Sequence, residues 1–200
     1  MIKAVLFDFG LVISTPRPPG RFREYESKLG LAEGTINQIM FESRAWQEAL
    51  VGRMSMQAFW YSIGPSLNLT HCKEIDDFRH RYYADEFADP GIVSLIRRLH
   101  GKTCLAVLSN HPPGLDQWLE EWQIRHFFDV VIASGDVGCT KPDPKIYQIS
   151  LERLDVRPHE TVFIDDTPGH VAAAQTLGIH GIVFVGTRQL VRDLGALLTF

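Results

Sequence analysis

Five short stretches of the chain are nearly continuous in apolar character: KAVLFDF (3–9), KTCLAVLS (102–109), FDVVIAS (128–134), TVFID (161–165) and GIVFVG (181–186). A strand with one wet face alternates apolar and polar residues. Runs without that alternation are covered on both faces, as in a parallel sheet. Between the later runs the apolar positions recur at helical spacing. GLDQWLEEWQIRHFF (114–128) shows it plainly. DPKIYQISLERLDV (143–156) opens with Asp143 as an expected N-cap and Pro144 at the first helical position. TPGHVAAAQTLGIHG opens in the same way with Thr167 and Pro168, and closes near Gly178. Strands alternating with helices predict an α/β fold, a Rossmann-like parallel sheet flanked by helices.

Residues 15–85 break the alternation. STPRPPG reads as a loop. The segments after it (REYESKLG, EGTINQIMFESRAWQEALV, SMQAFWYSI and CKEIDDFRHRYYADEF) are helical in pattern, with no convincing strand. DPGIVSLIRRLHG then restarts the alternation, with Asp89 as N-cap and Gly101 near the end. The expected organisation is a core of residues 1–14 and 86–200, with a small α-helical insertion over 15–85. No internal repeat or low-complexity segment interrupts it.

Composition narrows the function. A formal net charge of -4 and the lack of a basic cluster argue against nucleic acid, whose phosphates are bound by grouped Lys and Arg. The three cysteines (Cys72, Cys104, Cys139) show no metal-ligand spacing, which fits a reducing compartment. Cys104, inside an apolar run, reads as a small core residue. The first apolar run is too short for a signal peptide, and no run approaches the roughly 20 residues that span a bilayer. A cytoplasmic protein without a membrane partner is expected; oligomeric state is not readable.

Ligands of parallel α/β sheets bind beyond the carboxyl ends of the strands. The residues there are Asp8 after the first run, Ser109 and Asn110 after the second, and Asp165 and Asp166 after the fourth, with Lys141 in the loop after the third. Singly, each is explained by a turn, a cap or a solvated loop. Together they are complementary. Three gathered carboxylates repel one another and call for a cation. A hard divalent ion such as Mg²⁺ suits carboxylate oxygens together with a phosphate. A lysine and a hydroxyl-amide pair suit the remaining phosphate oxygens. The pattern therefore points to phosphoryl transfer, with a carboxylate as nucleophile.

LFDFGLVI, LAVLSN, GCTKPDPKIY and FIDDTPGHVAAAQTLG stand in this order along essentially the whole chain. In this arrangement the sequence resembles the haloacid dehalogenase (HAD) superfamily, in the subgroup with a helical cap inserted after the first strand. The resemblance implies a Rossmann-like core and a Mg²⁺-dependent hydrolase, most simply a phosphatase acting on a small phosphorylated metabolite. It implies Asp8 as nucleophile and metal ligand, the Gly10 carbonyl as a second ligand, Asp166 as a direct ligand, and Asp165 as a ligand directly or through water. Ser109 and the backbone amide of Asn110 would hold the transferring phosphoryl group. Lys141 would offset the charge on Asp8 and the phosphate, and 15–85 would be the cap.

The chain departs from the family's phosphatase pattern at Gly10, where a second aspartate usually acts as general acid and base. General acid–base catalysis contributes about 10²–10⁴-fold, equivalent to roughly 3–5 kcal/mol of barrier. One reading is a phosphatase whose substrate has a good leaving group, or whose proton comes from water or from His111. A second is a dehalogenase, which needs no such acid; the paired Asp165 and Asp166 argue against it. A third is a weakly active or inactive binding protein of this fold, and a fourth an unrelated α/β module. His170 reads as a structural hydrogen-bonding residue beside the fourth motif. Trp46 and Trp60 read as core of the helical insertion, and Arg44 and Arg53 as solvated residues that could also reach a substrate.

Overall fold

The structure, a computed structural model, describes residues 1–198. Thr199 and Phe200, the last two residues of the expected 86–200 segment, lie outside the described residues. Five strands form one parallel sheet in the order β3-β2-β1-β4-β5. They are β1 (Ala4–Phe7), β2 (Cys104–Ser109), β3 (Val130–Ala133), β4 (Thr161–Asp165) and β5 (His180–Val183). The α/β Rossmann-like class expected from the alternation is therefore what the chain adopts.

The absence of alternation has its cause in two cores. Val5, Phe7, Leu105, Val107, Val162 and Ile164 face one side, against helices Pro90–Leu99, Leu115–Glu121 and Thr187–Leu197. Ala4, Leu6, Ala106, Leu108 and Phe163 face the other, against Pro144–Leu154 and Pro168–Thr176. Both faces are dry, so neither face selects polar residues. Cys104 is half-buried at the start of β2, packed against the second core.

Most strands are shorter than their apolar runs. β1 stops at Phe7, although the Asp8 N–H still pairs with the Ile164 carbonyl of β4 at 2.8 Å. β5 ends at Val183, leaving Phe184 and Val185 beyond it. The helical pattern over 114–128 is also broken. Gln123 takes a left-handed φ of 58°, and only a single turn, Arg125–Phe127, follows. Asp143 and Asp89 cap their helices as expected, Asp143 accepting the Lys145 N–H and Asp89 the N–H groups of Gly91 and Ile92. Thr167 stands at its N-cap position without a side-chain cap bond; Asp165 Oδ1 takes the Thr167 N–H instead, at 2.8 Å.

Residues 21–83 carry four helices of seven residues or more, Arg21–Leu29, Arg44–Leu50, Met56–Ile63 and Cys72–Tyr83. The long pattern over 33–51 is divided at Ser43, which is extended and caps the following helix by accepting the Trp46 N–H. This segment has a third cluster of its own, rich in aromatics: Tyr25, Phe59, Trp60, Phe78 and Tyr82. Trp60 is fully buried and its Nε1–H donates to the Tyr83 hydroxyl at 3.0 Å. The chain leaves and rejoins the sheet layer side by side. Ser14 bridges Ala88 antiparallel, the Thr15 N–H bonds the Phe87 carbonyl, and the Asp89 N–H bonds the Ile13 carbonyl. Among the described residues no helix is long and apolar enough to cross a membrane.

Candidate active site

The sheet order places β1 at the centre, with β2 on one side and β4 on the other. The carboxyl ends of these three strands therefore meet, and with them the predicted residues. One ligand oxygen each of Asp8, Asp165 and Asp166 lies within 4.8 Å of the others. Beyond Asp8 the chain makes a wide turn closed by the Ser14 N–H on the Phe9 carbonyl at 2.8 Å. Gly10 is extended there (φ -63°, ψ 127°) and Leu11 is left-handed (φ 59°). A left-handed conformation in a residue with a Cβ is strained, and such strain gathers at functional sites.

Lys141 is the hub. Its ammonium is buried and donates to Asp8 Oδ1 at 2.9 Å, Asp165 Oδ2 at 2.6 Å and the Leu108 carbonyl at 3.1 Å. An ammonium has three N–H bonds, so all three are used. The loop that carries Lys141 is fixed by Asn110, whose side-chain amide donates to the Lys141 carbonyl and accepts the Lys141 N–H, at 2.9 and 2.7 Å. That clip was not legible in the sequence, where only the Asn110 backbone had a role. Asp165, fully buried, also meets His170 Nδ1 at 3.1 Å. His170 is itself steadied through its carbonyl, which accepts from Tyr147. It is structural beside the fourth motif, as expected.

The charges do not balance. Three carboxylates against one lysine leave two negative charges. The consequence shows in their titration. Burial first, then the Asp165 charge, pushes Asp8 up against the lowering effect of Lys141. Burial, then Asp8 and Asp165, push Asp166 up. Burial opposes ionisation of Asp165 as well, but His170, Lys141 and the Thr167 N–H together hold its carboxyl below the ordinary range. Among the described residues no lysine or arginine pairs with Asp166, and its donors are hard oxygens. An uncompensated charge of two on oxygen ligands fits a divalent hard cation.

Around this floor lies a chamber with two lobes of about 410 and 140 Å³. Asp8, Gly10, Leu11 and Asp166 line the larger; Phe9, Gly10, Ser109, Asn110 and His111 line the smaller. The remaining walls come from residues 14–86. Arg17 and Glu86 reach both lobes and pair with each other at 3.1 Å, with the Arg17 guanidinium 4.0 Å over the Tyr82 ring. Sequence reading passed over Arg17 as part of a proline-rich loop, although it is the first charged residue after Asp8. Arg44 and Arg53 do not line either lobe; Arg53 pairs with Glu48 in solvent. Trp46 lines the smaller lobe while packing on the aromatic cluster; Trp60 lies wholly within that cluster.

His111 does not suit the acid role suggested for it. Its Nδ1 lies 2.7 Å from the Pro112 carbonyl, which can only accept, so Nδ1 carries the proton and Nε2 has none to give. Burial pushes its pKa down to about 4, and it stays neutral at physiological pH. Gly10 is open. A Cβ built on it meets nothing within 4 Å, and its φ suits any residue. The missing acid is therefore not excluded by sterics.

Comparison with known proteins bears on the fold and the family. A sesquiterpene phosphatase of Aspergillus oryzae is 29% identical over 186 residues, covering 90% of this chain and 88% of that protein. Acyl-CoA dehydrogenase family member 10 of Mus musculus is 43% identical over 76 residues, but that match spans 38% of this chain and only 7% of the mouse protein. Among solved structures, a HAD-family enzyme from Bacteroides thetaiotaomicron in complex with magnesium and inorganic phosphate aligns with a TM-score of 0.76 at 22% identity, covering 91% of this chain and 93% of that one, and so supports the fold. A family profile matches residues 13–178, which include Ser109, Asn110, Lys141, Asp165 and Asp166 and begin past Asp8 and Gly10. The chain belongs to the haloacid dehalogenase-like hydrolases.

Proposed function

We propose that this hydrolase is a Mg²⁺-dependent phosphatase that removes phosphate from a small phosphorylated molecule through an aspartyl-phosphate on Asp8. The observation that carries the reading is the asymmetry of Asp8. Its Oδ1 is held by Lys141 Nζ and by the Phe9 N–H, at 2.9 and 2.7 Å, within a cluster of three carboxylates that Lys141 neutralises only in part. The other oxygen, Oδ2, would be the nucleophile; the Ser109 hydroxyl also hydrogen-bonds the Asp8 carboxyl. The phosphatase relative and the magnesium and phosphate held by the structural neighbour support the same reading.

Asp8, Asp166 and the Gly10 carbonyl would hold the metal, with Asp165 acting through water, because Lys141, His170 and the Thr167 N–H already occupy its oxygens. Mg²⁺ supplies charge neutralisation between an anionic nucleophile and an anionic phosphate. Asp8 Oδ2 attacks phosphorus and the bond from phosphorus to the leaving oxygen breaks, its electron pair going to that oxygen. Ser109 Oγ and the Asn110 N–H hold the phosphoryl oxygens, and Lys141 holds Asp8 in place. With Gly10 in place of an acid and His111 neutral, the leaving oxygen takes its proton from water. Water then attacks phosphorus, the bond from phosphorus to Asp8 Oδ2 breaks with its electron pair returning to the carboxylate, and inorganic phosphate leaves with the water's oxygen while the water's proton passes to solvent. Residues 15–85 serve as the cap over a core of 1–14 and 86–200. The free thiols of Cys72, Cys104 and Cys139 support a cytoplasmic setting.

The test is phosphate release from acetyl phosphate and from aryl phosphates of graded leaving-group pKa, with Mg²⁺ or with EDTA. Turnover is expected only with Mg²⁺, with a steep dependence on leaving-group pKa and none in Asp8→Asn. Activity that survives Asp8→Asn overturns the mechanism. Halide release from 2-haloacids in EDTA replaces it with a dehalogenase.

A further inference from the structure

The chamber above Asp8 differs in chemistry from the site it covers. Leu11, Phe22 and Phe41 line the larger lobe, and Met40, Trp46 and Tyr82 the smaller. Leu11 and Phe41, 51% and 38% exposed, both border the chamber. Phe41 reaches both lobes, as Gly10, Arg17 and Glu86 do, so apart from that one charged pair the shared wall is apolar, and the larger lobe opens on Asp8 and Asp166.

Most polar groups on those walls are already engaged within the protein, the buried Arg17 Nε–H being an exception that has no hydrogen-bond partner among the described residues. Thr15 Oγ1 donates to the Phe87 carbonyl, and Ser14 Oγ accepts the Leu11 N–H. The Tyr83 hydroxyl accepts from Trp60, and Glu86 holds Arg17. The Asn110 amide is spent on Lys141. A polyhydroxylated leaving group would enter with its hydroxyls stripped of water and few partners to replace it, which is unfavourable. An apolar one would lose only water that it bonds poorly. The larger lobe, about 410 Å³, lies in the size range of small-molecule sites.

The geometry points to a phosphate monoester with an apolar aryl, alkyl or alkenyl leaving group, seated in the chamber of Leu11, Phe22, Phe41 and Trp46. This rests on the phosphatase reading for the placement of the phosphoryl group at Asp8. It also bears on Gly10. An aromatic leaving oxygen departs as a stabilised anion, so an aryl ester in this chamber would have least need of the acid that the chain lacks.

The test separates binding from turnover. Dissociation constants of n-alkylphosphonates from ethyl to octyl, which cannot be hydrolysed, are measured by calorimetry with saturating Mg²⁺. Burial of a methylene is worth about 0.8 kcal/mol, so Kd is expected to fall about three- to fourfold per carbon until the chamber is full. A six-carbon polyol phosphonate is expected to bind weaker than hexylphosphonate by at least about thirtyfold. Phe41→Ser should reduce the gain per carbon to below about twofold. A Kd independent of chain length, or a polyol phosphonate that binds as well as hexylphosphonate, overturns the apolar assignment whatever the turnover. Apolar binding without release of phosphate from acetyl or aryl phosphates leaves the assignment of the chamber standing and removes the phosphatase reading.

Discussion

The two walls of the chamber are built on opposite terms. On the sheet side the anchoring groups are held by directional bonds: Lys141 spends its three N–H bonds on Asp8, Asp165 and Leu108, and Asn110 clamps the loop beneath it. On the helical side aromatic rings lean on one another, Trp60 on Phe59, Phe78, Tyr82 and Tyr83, with the half-buried pair Arg17–Glu86 facing inward. One wall fixes the geometry of a reaction by directional bonds. The other offers shape and dryness, which choose a ligand by size and polarity. A change on the first wall should therefore act on chemistry and stability together, and a change on the second chiefly on which ligand binds.

Lys141→Ala tests the first half of this contrast most severely. It leaves Asp8 and Asp165 buried beside one another without their cation. Breaking a buried pair from one side costs about 3–5 kcal/mol, so urea unfolding should shift by that order, and turnover should drop with it. Lys141→Arg should not restore either property, because a planar guanidinium cannot serve three acceptors arranged for an ammonium. If Lys141→Ala unfolds at the wild-type urea concentration, the network is not a structural unit.

Gly10→Asp comes next in size and acts in the opposite direction. The position has open space and an ordinary φ, so the variant should fold with unchanged stability. Restoring a general acid should raise turnover of alkyl phosphates by up to about 10²–10⁴-fold, and leave esters with stable leaving anions nearly unaffected. The slope of rate against leaving-group pKa is the measurement. A slope as steep in Gly10→Asp as in the wild type would mean that the carboxyl does not reach the leaving oxygen.

How much of this was legible in the sequence divides along the same line. Asp8, Asp165 and Lys141 could be placed because parallel strands all end at one edge, so the residues after the apolar runs had to share it. The Asn110 clip could not, since it joins residues 31 apart through a loop whose course no pattern records. The Arg17–Glu86 pair spans 69 residues and forms only because the chain crosses back beside itself at Ser14 and Ala88. Helical spacing also identified the aromatic-rich segments, but not which rings would turn toward the sheet; Trp46 does and Trp60 does not. Residue type and register carry local chemistry, whereas the facing of one layer on another depends on loop paths.

His111 sits where the two walls meet and gives a smaller, pH-dependent effect. Its pKa is pushed by burial from 6.5 to about 4 in the folded protein. Between these values the unfolded chain binds the extra proton, so stability rises with pH. The contribution is fully present above the unfolded value and is lost as pH falls from about 6.5 toward 4, at no more than about 1.4 kcal/mol per pH unit. His111→Phe, which cannot take up that proton, should show a shallower loss of stability between pH 7 and pH 5 by thermal or urea unfolding. Parallel profiles for the two proteins would show that His111 remains hydrated.

The smallest effect is expected at Leu11, which belongs to the sheet-side turn by sequence and to the apolar wall by position. Its left-handed φ of 59° costs about 1–2 kcal/mol in a residue with a Cβ, and half of its surface is in solvent. Leu11→Gly removes the strain but loosens the unfolded chain, which offsets roughly 0.5–1 kcal/mol of the gain. A net stabilisation of about 1 kcal/mol or less should follow, read as a small rise in the urea midpoint. The same substitution takes an apolar side chain off the chamber, so the affinity for alkylphosphonates should fall as stability rises. Opposite signs at a single residue would mark a place where strain is kept for the ligand's benefit. If both quantities rise, the leucine is no part of the apolar wall.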